Sequence, residues 1–436
     1  MTRRRYLIIL LMFIVIAINY MDRVNFSVSI PEIQKNLHFS LAQIGDISFV
    51  WGMAYALFNF PGGWLADKLG LRWGIFAAFG WWSLFTIASP FATTLTGWFI
   101  LRGLMGVGEA PIWPFNAKAA NSWAPPGERS TAYTLAGSGQ YLGPAIGSIL
   151  VGWIVVALGW RWAFVIFGGA GLLLLPLWLF VVRDTPASDK RVSQEELALI
   201  GNLANAAQEK VDWPGIRRVF TSRTGIGMLL IYLTFGYILF TFLNWVPSYM
   251  YYTFHMDILK SALWSSLGAF MGFIGFVLSG PFNDRLVKKY RRLTARRIGT
   301  ALPMFLAVLC VVASLMTARS GLGQMTAILI GMVQLLMNLT VGAWAVNIID
   351  ISPNQASTGM VYGIFNGVLN MMGALNSLIL TAIASAYGFP LAFGSAVIFM
   401  LMLIFLFSIL FIVDRRSYEA LTAYAMDARR RGTAQA

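Results

Sequence analysis

The chain has 436 residues, of which 58% are hydrophobic and 11% are charged. Soluble domains carry about 25% charged residues, so this composition excludes an ordinary soluble globular protein. One cysteine and two widely separated histidines exclude a disulfide framework and a Cys/His metal cluster, and we expect no metal and no cofactor. The net charge of +14 would suit nucleic acid, but the basic residues lie in short clusters between apolar runs, and we expect no nucleic-acid partner.

Twelve apolar segments follow one another along the chain, and nearly all of them are long enough to cross a bilayer as a helix. The ten-residue alternation typical of membrane β-strands is absent from the sequence. We therefore predict an all-α integral membrane protein with twelve transmembrane helices. The predicted spans are 6–30, 44–66, 73–90, 94–117, 130–157, 160–182, 224–253, 261–282, 297–317, 322–349, 357–386 and 390–413.

The distribution of Lys and Arg among the loops predicts how these spans are oriented. If the N-terminus lies inside, the inside segments hold 26 of the 32 basic residues and the outside segments hold 4. Cytoplasmic loops collect basic residues, so we predict a multi-pass protein of the cell's inner (plasma) membrane with both termini in the cytoplasm. The same bias accounts for the high net charge.

Two sequence matches at one offset indicate an internal repeat. Gly63-Trp-Leu-Ala-Asp67-Lys68 and Gly280-Pro-Phe-Asn-Asp284-Arg285 start 217 residues apart, and His38 and His255 have the same separation. Parallel repeats of six helices are one of the arrangements found in secondary transporters, with the site between the halves. We predict two six-helix pseudo-repeats.

The polar segment between the predicted halves contains Ser193-x-x-Glu196, the spacing of a helix capping box, ahead of the apolar residues Leu197, Leu199, Ile200 and Leu203. We predict a short amphipathic helix there. The predicted boundaries are 1–183 for an N-terminal six-helix bundle, 184–222 for a cytoplasmic linker with this helix, 223–414 for a C-terminal six-helix bundle and 415–436 for a cytoplasmic tail.

Four charged residues lie well inside predicted spans, Asp22 and Arg23 in the first and Arg102 and Glu109 in the fourth, whereas Asp46 and Arg161 lie within two residues of a span end. Each costs about 2.5–3.5 kcal/mol at the bilayer centre, so they must face a cavity or one another. Arg102 and Glu109 are seven residues apart and share a helix face. A structural set of ion pairs is the alternative, but buried ion pairs stabilise weakly, which favours a functional site.

Apart from Arg297 at the first position of the ninth span, the polar residues within the predicted spans of the second half are uncharged, and Asp350 follows the end of the tenth. These residues can bind a ligand or form hydrogen bonds between helices, and the second reading is the more common one for a single Asn. They are Asn244, Gln334, Asn338, Asn347, Asn366, Asn370 and Asn376.

The stretch Gly63-x-x-x-Asp67-Lys68-x-Gly70-x-Arg72 resembles the signature loop of the major facilitator superfamily, and Gly280–Arg285 resembles a second copy. The resemblance implies the major facilitator fold, in which one half rocks on the other. It also implies that Asp67, Arg72, Asp284 and Arg285 belong to gating loops between the helices.

Three further motifs resemble the anion:cation symporter family within that superfamily. They are Asn19-Tyr20-Met21-Asp22-Arg23-Val24-Asn25 in the first span, Arg102-Gly-Leu-Met-Gly106-Val-Gly108-Glu109 in the fourth, and Asn244-Trp245-Val-Pro247-Ser-Tyr249 in the seventh. Among its members, the chain is most similar to bacterial sugar-acid:proton symporters of the galactonate, hexuronate and glucarate type. The resemblance implies a proton-coupled symporter that imports an organic anion such as an aldonate, hexuronate or aldarate.

The same resemblance implies roles for individual residues. Asp22 and Glu109 match the proton-carrying carboxylates. The residues that match substrate-binding positions are Arg23, Tyr55, Arg102, Gln140, Trp344, and either Asn366 or Asn370. With both carboxylates ionised the four intramembrane charges sum to zero, and protonating both leaves +2, which suits an anionic ligand.

Other functions stay open at this point. Val341-Gly342-Ala343 lacks the Ser that the resemblance predicts beside Trp344, which leaves the identity of the sugar acid open. Uptake of an aromatic or dicarboxylic acid such as phthalate is an alternative. The motif Gly139-x-x-x-Gly143-Pro144-x-x-Gly147 resembles a fifth-helix motif of drug antiporters and supports proton-driven efflux, but we favour close helix packing as its explanation. A membrane enzyme is disfavoured because no His or Cys lies near the charged residues. We expect a monomer in the lipid bilayer whose partners are a small organic anion and protons.

Overall fold

The structure, a computed structural model, describes residues 4–125, 128–200, 212–290, 292–341, 351–353, 355–413 and 419–425. These residues form helices and short connections, with no β-strand among them. The principal helices are α1 Arg4–Leu37, α2 Leu41–Ala88, α3 Leu95–Glu109, α4 Ile112–Trp123, α5 Arg129–Gly137, α6 Gly139–Leu158, α7 Trp160–Val181, α8 Gln194–Ile200, α9 Trp213–Thr221, α10 Arg223–Asn244, α11 Val246–Phe254, α12 Ile258–Lys289, α13 Arg292–Arg319, α14 Gly323–Leu339, α15 Gln355–Tyr387 and α16 Phe389–Val413.

These helices account for the predicted spans within the described residues. Nine helical stretches are long and apolar enough to cross a bilayer, and Gly323–Leu339 and Phe389–Ile404 are shorter apolar helices. The predicted fourth span is divided into α3 and α4, so it contains no uninterrupted helix of spanning length. Such breaks are tolerated where neighbouring helices satisfy the backbone.

A sharp turn at Gly70 separates the two spans that are joined in α2. Gly70 has φ 74°, a left-handed conformation that favours glycine. A Cβ atom there would lie 2.3 Å from Oδ1 of Asp184, which accepts a 2.9 Å hydrogen bond from the backbone N–H of Arg72. The Arg72 side chain donates to the carbonyl of Leu179 at 2.9 Å. The signature loop is therefore fastened to the end of α7.

Backbone conformation and contacts reflect the internal repeat. His38 and His255, 217 residues apart, follow α1 and α11 with φ values of 56° and 52°. Ser27 of α1 donates to the carbonyl of Asn244 in α10, and these residues are also 217 apart. A residue can touch its own counterpart only near the axis that relates two repeats, so α1 and α10 meet near that axis.

The halves pack tightly at the end of the molecule where α1 ends and α2 begins. A Cβ atom on Gly45 would lie 3.0 Å from the carbonyl of Ser377, and one on Gly52 would lie 2.7 Å from the Cβ of Ala374, which puts α2 against α15. On the other side, Gly152 of α6 meets Ala262 of α12 in the same way. We call this the closed end, and the end that holds the linker we call the linker end.

Charged groups fasten the first part of the linker to the N-terminal half. Asp189 accepts hydrogen bonds from Arg4 at 3.1 Å and from Arg191 at 2.7 Å. Glu196 accepts from the backbone N–H groups of Arg4 at 3.3 Å and Arg5 at 3.0 Å, which places a carboxylate at the start of α1. The backbone N–H of Glu196 donates to the hydroxyl of Ser193 at 3.3 Å, which is one of the two hydrogen bonds of the predicted capping box.

The helix α8 departs from the predicted apolar face: Ile200 is buried but Leu199 is 42% exposed, and Leu203 lies outside the described residues. Glu196 is buried because its carboxylate serves the start of α1. The later part of the linker is fastened to the C-terminal half, where the N–H of Asp212 donates to the hydroxyl of Ser357 at 3.0 Å.

Candidate functional site

The charged residues of α1 and α3 come together inside the N-terminal half. Arg23 donates from Nε to Oε2 of Glu109 at 3.1 Å, and its Nη2 donates to Oδ1 of Asn19 at 3.3 Å. Glu109 is fully buried and Arg23 is 7% exposed. Sequence spacing places Glu109 on the helix face of Arg102, but its ion-pair partner in the structure is Arg23 across the bundle.

Aromatic rings surround the Arg23 guanidinium. Its Cζ lies 4.1 Å from the ring centroid of Tyr20, and 4.7 Å from those of both Trp51 and Tyr55. Such contacts are worth about 2 kcal/mol or more when desolvated. Tyr55, a predicted site residue, is thereby placed beside the Arg23–Glu109 pair. Tyr20 and Trp51 are members of the site that sequence reasoning missed.

The Arg102 guanidinium has a different environment. Its Cζ lies 4.0 Å from the ring centroid of Phe26, and Nη1 lies 3.2 Å from the sulfur of Met105. Arg102 is 4% exposed, its Nε has no hydrogen-bond partner within the described part of the chain, and no carboxylate there lies within 4.0 Å of it. It is a buried cation without a close counter-ion among those residues.

Asp22, which precedes Arg23 in the chain, interacts electrostatically with both Glu109 and Arg102. The residue is fully buried, and neither carboxylate oxygen has a hydrogen-bond partner among the described residues. The indole of Trp82 approaches it without completing a hydrogen bond. The four charges therefore form one cluster, with a single direct ion pair and two members without direct partners in the described residues.

The glycines of the predicted fifth span pack directly on α1. A Cβ atom on Gly139 would lie 2.5 Å from the carbonyl oxygen of Phe13, and one on Gly143 would lie 2.3 Å from that of Ala17. Close packing thus explains the antiporter-like motif without any ligand. Gln140 lies between these glycines in the sequence and is half-buried.

The polar residues of the C-terminal half are mostly engaged with the backbone. Asn370 donates to the carbonyl of Asn366 at 2.7 Å, and Asn338 donates to that of Gln334 at 2.8 Å. Asn366 is half-buried, and its own side chain is not used in that bond. This difference favours Asn366 over Asn370 as a group that is available to a ligand.

Some predicted site residues are not described. Trp344 and the side chains of Asp67 and Asp284 lie outside the described part of the structure. Arg285 is exposed at the linker end. The described residues contain no group of three His, Cys, Asp or Glu side chains that is arranged to hold a metal ion.

The missed aromatic residues could have been found from the helix period. Trp51 and Tyr55 are four residues apart on α2, and their ring centroids lie 5.7 Å apart in a stacked arrangement. Residues at this spacing share a helix face, so the prediction that Tyr55 belongs to the site also implies Trp51. Tyr20 and Phe26 are each three residues from Arg23 on α1, a spacing at which side chains are neighbours on the helix surface. Aromatic faces attract cations, so rings beside intramembrane arginines were the available signal.

Comparison with known proteins supplies the family context. The sequence profile described as Major Facilitator Superfamily matches residues 12–357. The probable galactarate/D-glucarate transporter GarP of Escherichia coli (strain K12) is 33% identical over 394 residues, covering 86% of each chain. The hexuronate transporter of Bacillus subtilis (strain 168) is 30% identical over 401 residues, covering 89% of this chain and 92% of the relative.

Solved structures share the fold. A bacterial homologue of the human lysosomal transporter Spinster, in an inward-facing and unoccupied conformation, aligns with a TM-score of 0.73 at 15% identity over 98% of this chain and 99% of the other. A D-xylose–proton symporter aligns with a TM-score of 0.65 at 15% identity, covering 90% and 96% of the two chains. At this identity the likeness concerns the architecture alone.

Proposed function

The chain belongs to the Major Facilitator Superfamily, and from that premise we propose that it imports a sugar acid together with protons by alternating access. The substrate class is a polyhydroxylated carboxylate: an aldonate, a hexuronate or an aldarate. The protein is a multi-pass membrane transporter; its placement in the inner membrane, with both termini and the linker end in the cytoplasm, is part of the proposal.

The observation that carries the proposal is the state of Arg102. A buried guanidinium without a close counter-ion is costly, and a substrate carboxylate that accepts a pair of hydrogen bonds from it would offset that cost. Arg23 already has Glu109 as its partner at 3.1 Å. Arg102 is therefore the first anchor for the anion, and Arg23 becomes a second anchor when Glu109 is protonated.

This sequence of pairings couples the proton to the anion. Protonation removes the negative charge that holds Arg23, so Arg23 can bind the incoming carboxylate. Tyr20, Trp51 and Tyr55 keep the guanidinium in place during the exchange by stacking on it. When Glu109 loses its proton on the cytoplasmic side, it competes again for Arg23 and the anion is released.

The contacts between the halves suit the transport cycle. The hydroxyl of Ser27 donates to the carbonyl of Asn244, and the hydroxyl of Tyr252 donates to Gln34, so both bonds join the halves toward the closed end. In the proposed orientation this end faces the outside, and rocking one half on the other must break these bonds before substrate can enter. Asp67, Arg72, Asp284 and Arg285 are proposed to gate the opposite side.

The test is transport by the purified protein in liposomes. A thermal-shift panel of sugar acids, dicarboxylates and aromatic acids selects the ligand, because binding to the folded state raises the melting temperature. Uptake of the radiolabelled ligand is then measured with and without an inward proton gradient. We expect a sugar acid to stabilise the protein and to accumulate only with the gradient.

Two results would contradict the proposal. Stabilisation by phthalate but not by sugar acids would replace the substrate class with aromatic acids. Uptake that ignores the gradient would remove the coupling. The predicted boundaries at 183, 222 and 414 and the monomeric state are part of the same proposal, and light scattering of the purified transporter tests the latter.

A further inference from the structure

A row of buried polar groups extends along α1 from Asp22 toward the closed end. Asn25 follows Asp22 by three residues, and Ser29 follows Asn25 by four, so the three residues lie on one helix face. All three residues are fully buried. Within the described residues, five of their atoms lack a hydrogen-bond partner: both oxygens of Asp22, both amide atoms of Asn25 and the hydroxyl of Ser29.

The row faces the interior of the N-terminal bundle and not the other half. Phe26, which shares this face, contacts Trp98 at 5.7 Å between ring centroids and lies 4.0 Å from Cζ of Arg102. Ser27, on another face of α1, reaches the carbonyl of Asn244 in the C-terminal half. The polar row is thus separated by the width of a helix from the surface where the halves meet.

Unpaired polar atoms in such a row call for water. A buried polar group without a partner costs about 1–3 kcal/mol, and buried water molecules characteristically make about three hydrogen bonds to such groups. Residues 22 to 29 span roughly 10 Å along the helix axis at 1.5 Å per residue, a length that a short file of hydrogen-bonded water molecules would bridge. The row ends in a carboxylate, which a simple packing defect would not need.

We propose that Asp22, Asn25 and Ser29 bind a file of ordered water molecules that conducts protons between the closed end and the Asp22 carboxylate, apart from the path of the substrate. The inference rests on the proposed proton coupling and adds Asp22, the second carboxylate of the cluster, as a group that takes up a proton. A hydronium ion in the bulk water at the closed end gives its proton to the first water of the file and becomes neutral water. At each water of the file one O–H bond then forms as another breaks, and the last transfer makes the Asp22 carboxyl and leaves every water neutral. Asn25 and Ser29 only orient the file and keep their protons.

Trp160 marks where the file approaches the closed end. This residue is the first of α7 and is 2% exposed, and its ring lies 6.0 Å from that of Trp98, which in turn contacts Phe26. The indole N–H of Trp160 also lacks a partner within the described residues. It therefore offers a further donor to water between Ser29 and the outer surface.

The experiment separates net proton movement from substrate movement. Purified variants in liposomes are tested with radiolabelled D-glucarate in two modes. The first is accumulation driven by an inward proton gradient. The second is counterflow at equal pH, in which the loaded and protonated carrier exchanges labelled for unlabelled substrate without releasing its proton. Asn25→Leu keeps the number and branching of the side-chain heavy atoms but removes both polar atoms. We expect it to slow accumulation about tenfold while counterflow and affinity stay near wild type, since relays depend on polar groups inside the membrane.

Two further variants distinguish a water path from packing. Asn25→Ser leaves a hydroxyl and more space for water, so we expect it to keep most of the accumulation that Asn25→Leu loses. Ser29→Ala should slow accumulation less, about threefold, because the neighbouring groups still hold water. Ser148→Ala is the matched control, since this buried hydroxyl in α6 already donates to the carbonyl of Pro144 at 2.8 Å.

The outcomes separate the two proposals. Wild-type accumulation by Asn25→Leu, or equal losses of accumulation and counterflow in the Leu and Ser variants, would overturn the water path. If Asn25→Leu does not fold, the comparison of Ser29→Ala with Ser148→Ala decides, and equal accumulation in both would overturn it. Gradient-independent accumulation by the wild-type protein would instead overturn the proposed proton coupling itself.

Discussion

The two halves share one architecture but differ in how they treat buried polar groups. In the N-terminal half, the partly unpaired charges of Asp22, Arg23, Arg102 and Glu109 are kept inside the bundle. In the C-terminal half, the buried polar side chains of the described residues are neutral and mostly bonded to backbone carbonyls. Asn376, for example, donates to the carbonyl of Tyr237 at 3.2 Å.

This difference indicates a division of work between the repeats. Charges that change with protonation give one half a switch, while neutral amides give the other half a fixed surface. A fixed surface can select hydroxyl groups without interfering with the charge balance. Variants in the two halves should therefore fail in different ways, and the predictions below measure that difference.

The largest effect is expected from Glu109→Gln. Glutamine keeps the shape of the side chain but resembles its protonated form permanently, and the ion pair with Arg23 is lost. We expect binding of the sugar acid to survive, because the site stays cationic, and gradient-driven accumulation to disappear. Calorimetry and proteoliposome uptake on the same preparation measure the two properties.

Glu32→Gln is the control, because Glu32 lies in the same half of the protein, on α1, but outside the charged cluster. Accumulation by Glu109→Gln at the wild-type level would remove Glu109 from the coupling mechanism. Joint loss of binding and uptake would support a structural ion pair instead.

Arg102→Lys should produce the next largest effect. Lysine keeps the charge but lacks the planar fork that binds a carboxylate with two hydrogen bonds. Losing one charged hydrogen bond costs about 1.5–3 kcal/mol, so affinity should fall about 10- to 100-fold. Calorimetry measures it, with the exposed Arg319→Lys in the other half as control. Unchanged affinity in the folded variant would make Arg102 structural.

The fold was readable from sequence because bilayer thickness and helix geometry leave few solutions for twelve apolar segments. The repeat was readable because His38 and His255, and the two copies of the loop at Asp67 and Asp284, preserve one offset. The division of the fourth span into α3 and α4 was missed although Pro111, which stands at the break, is its signal, because a proline removes one hydrogen bond of the helix and clashes with the preceding turn.

The site was partly readable for a related reason. Charged residues inside membrane spans are rare, so the sequence alone was enough to select Asp22, Arg23, Arg102 and Glu109 as candidate site residues. Their pairing was not readable, because spacing along α3 relates Glu109 to Arg102 but says nothing of how α1 is rotated toward it. Only the packed bundle shows that Arg23 is the partner of Glu109.

Asn366→Ala and Asn376→Ala test whether the C-terminal half separates selection from stability. Asn366 has its side chain available, so its loss should weaken binding about tenfold, in line with one hydrogen bond, with little change in melting temperature. Asn376 bonds to Thr241 and to the carbonyl of Tyr237 at 3.2 Å, so its loss should lower the melting temperature and spare affinity. Equal effects of both variants on affinity would refute this separation.

The smallest effect concerns how the linker is fastened to each half. Burial raises the pKa of Asp189, but hydrogen bonds from Arg191 and Arg4 outweigh it and lower the pKa to about 2. A carboxyl whose pKa is depressed on folding stabilises the protein above its unfolded value of about 4, and this contribution is lost as the pH falls toward 2. Asp189→Asn should therefore lower the melting temperature by a few degrees at pH 7, about 1 kcal/mol after screening at the membrane surface. The difference from wild type should shrink when the pH is taken below about 4.

Asp212→Asn is the matched change on the other half, where Oδ1 accepts a hydrogen bond from the backbone of Gly215 at 2.9 Å that an amide oxygen can also accept. A drop for Asp212→Asn as large as that for Asp189→Asn would show that charge is not what distinguishes the two attachments.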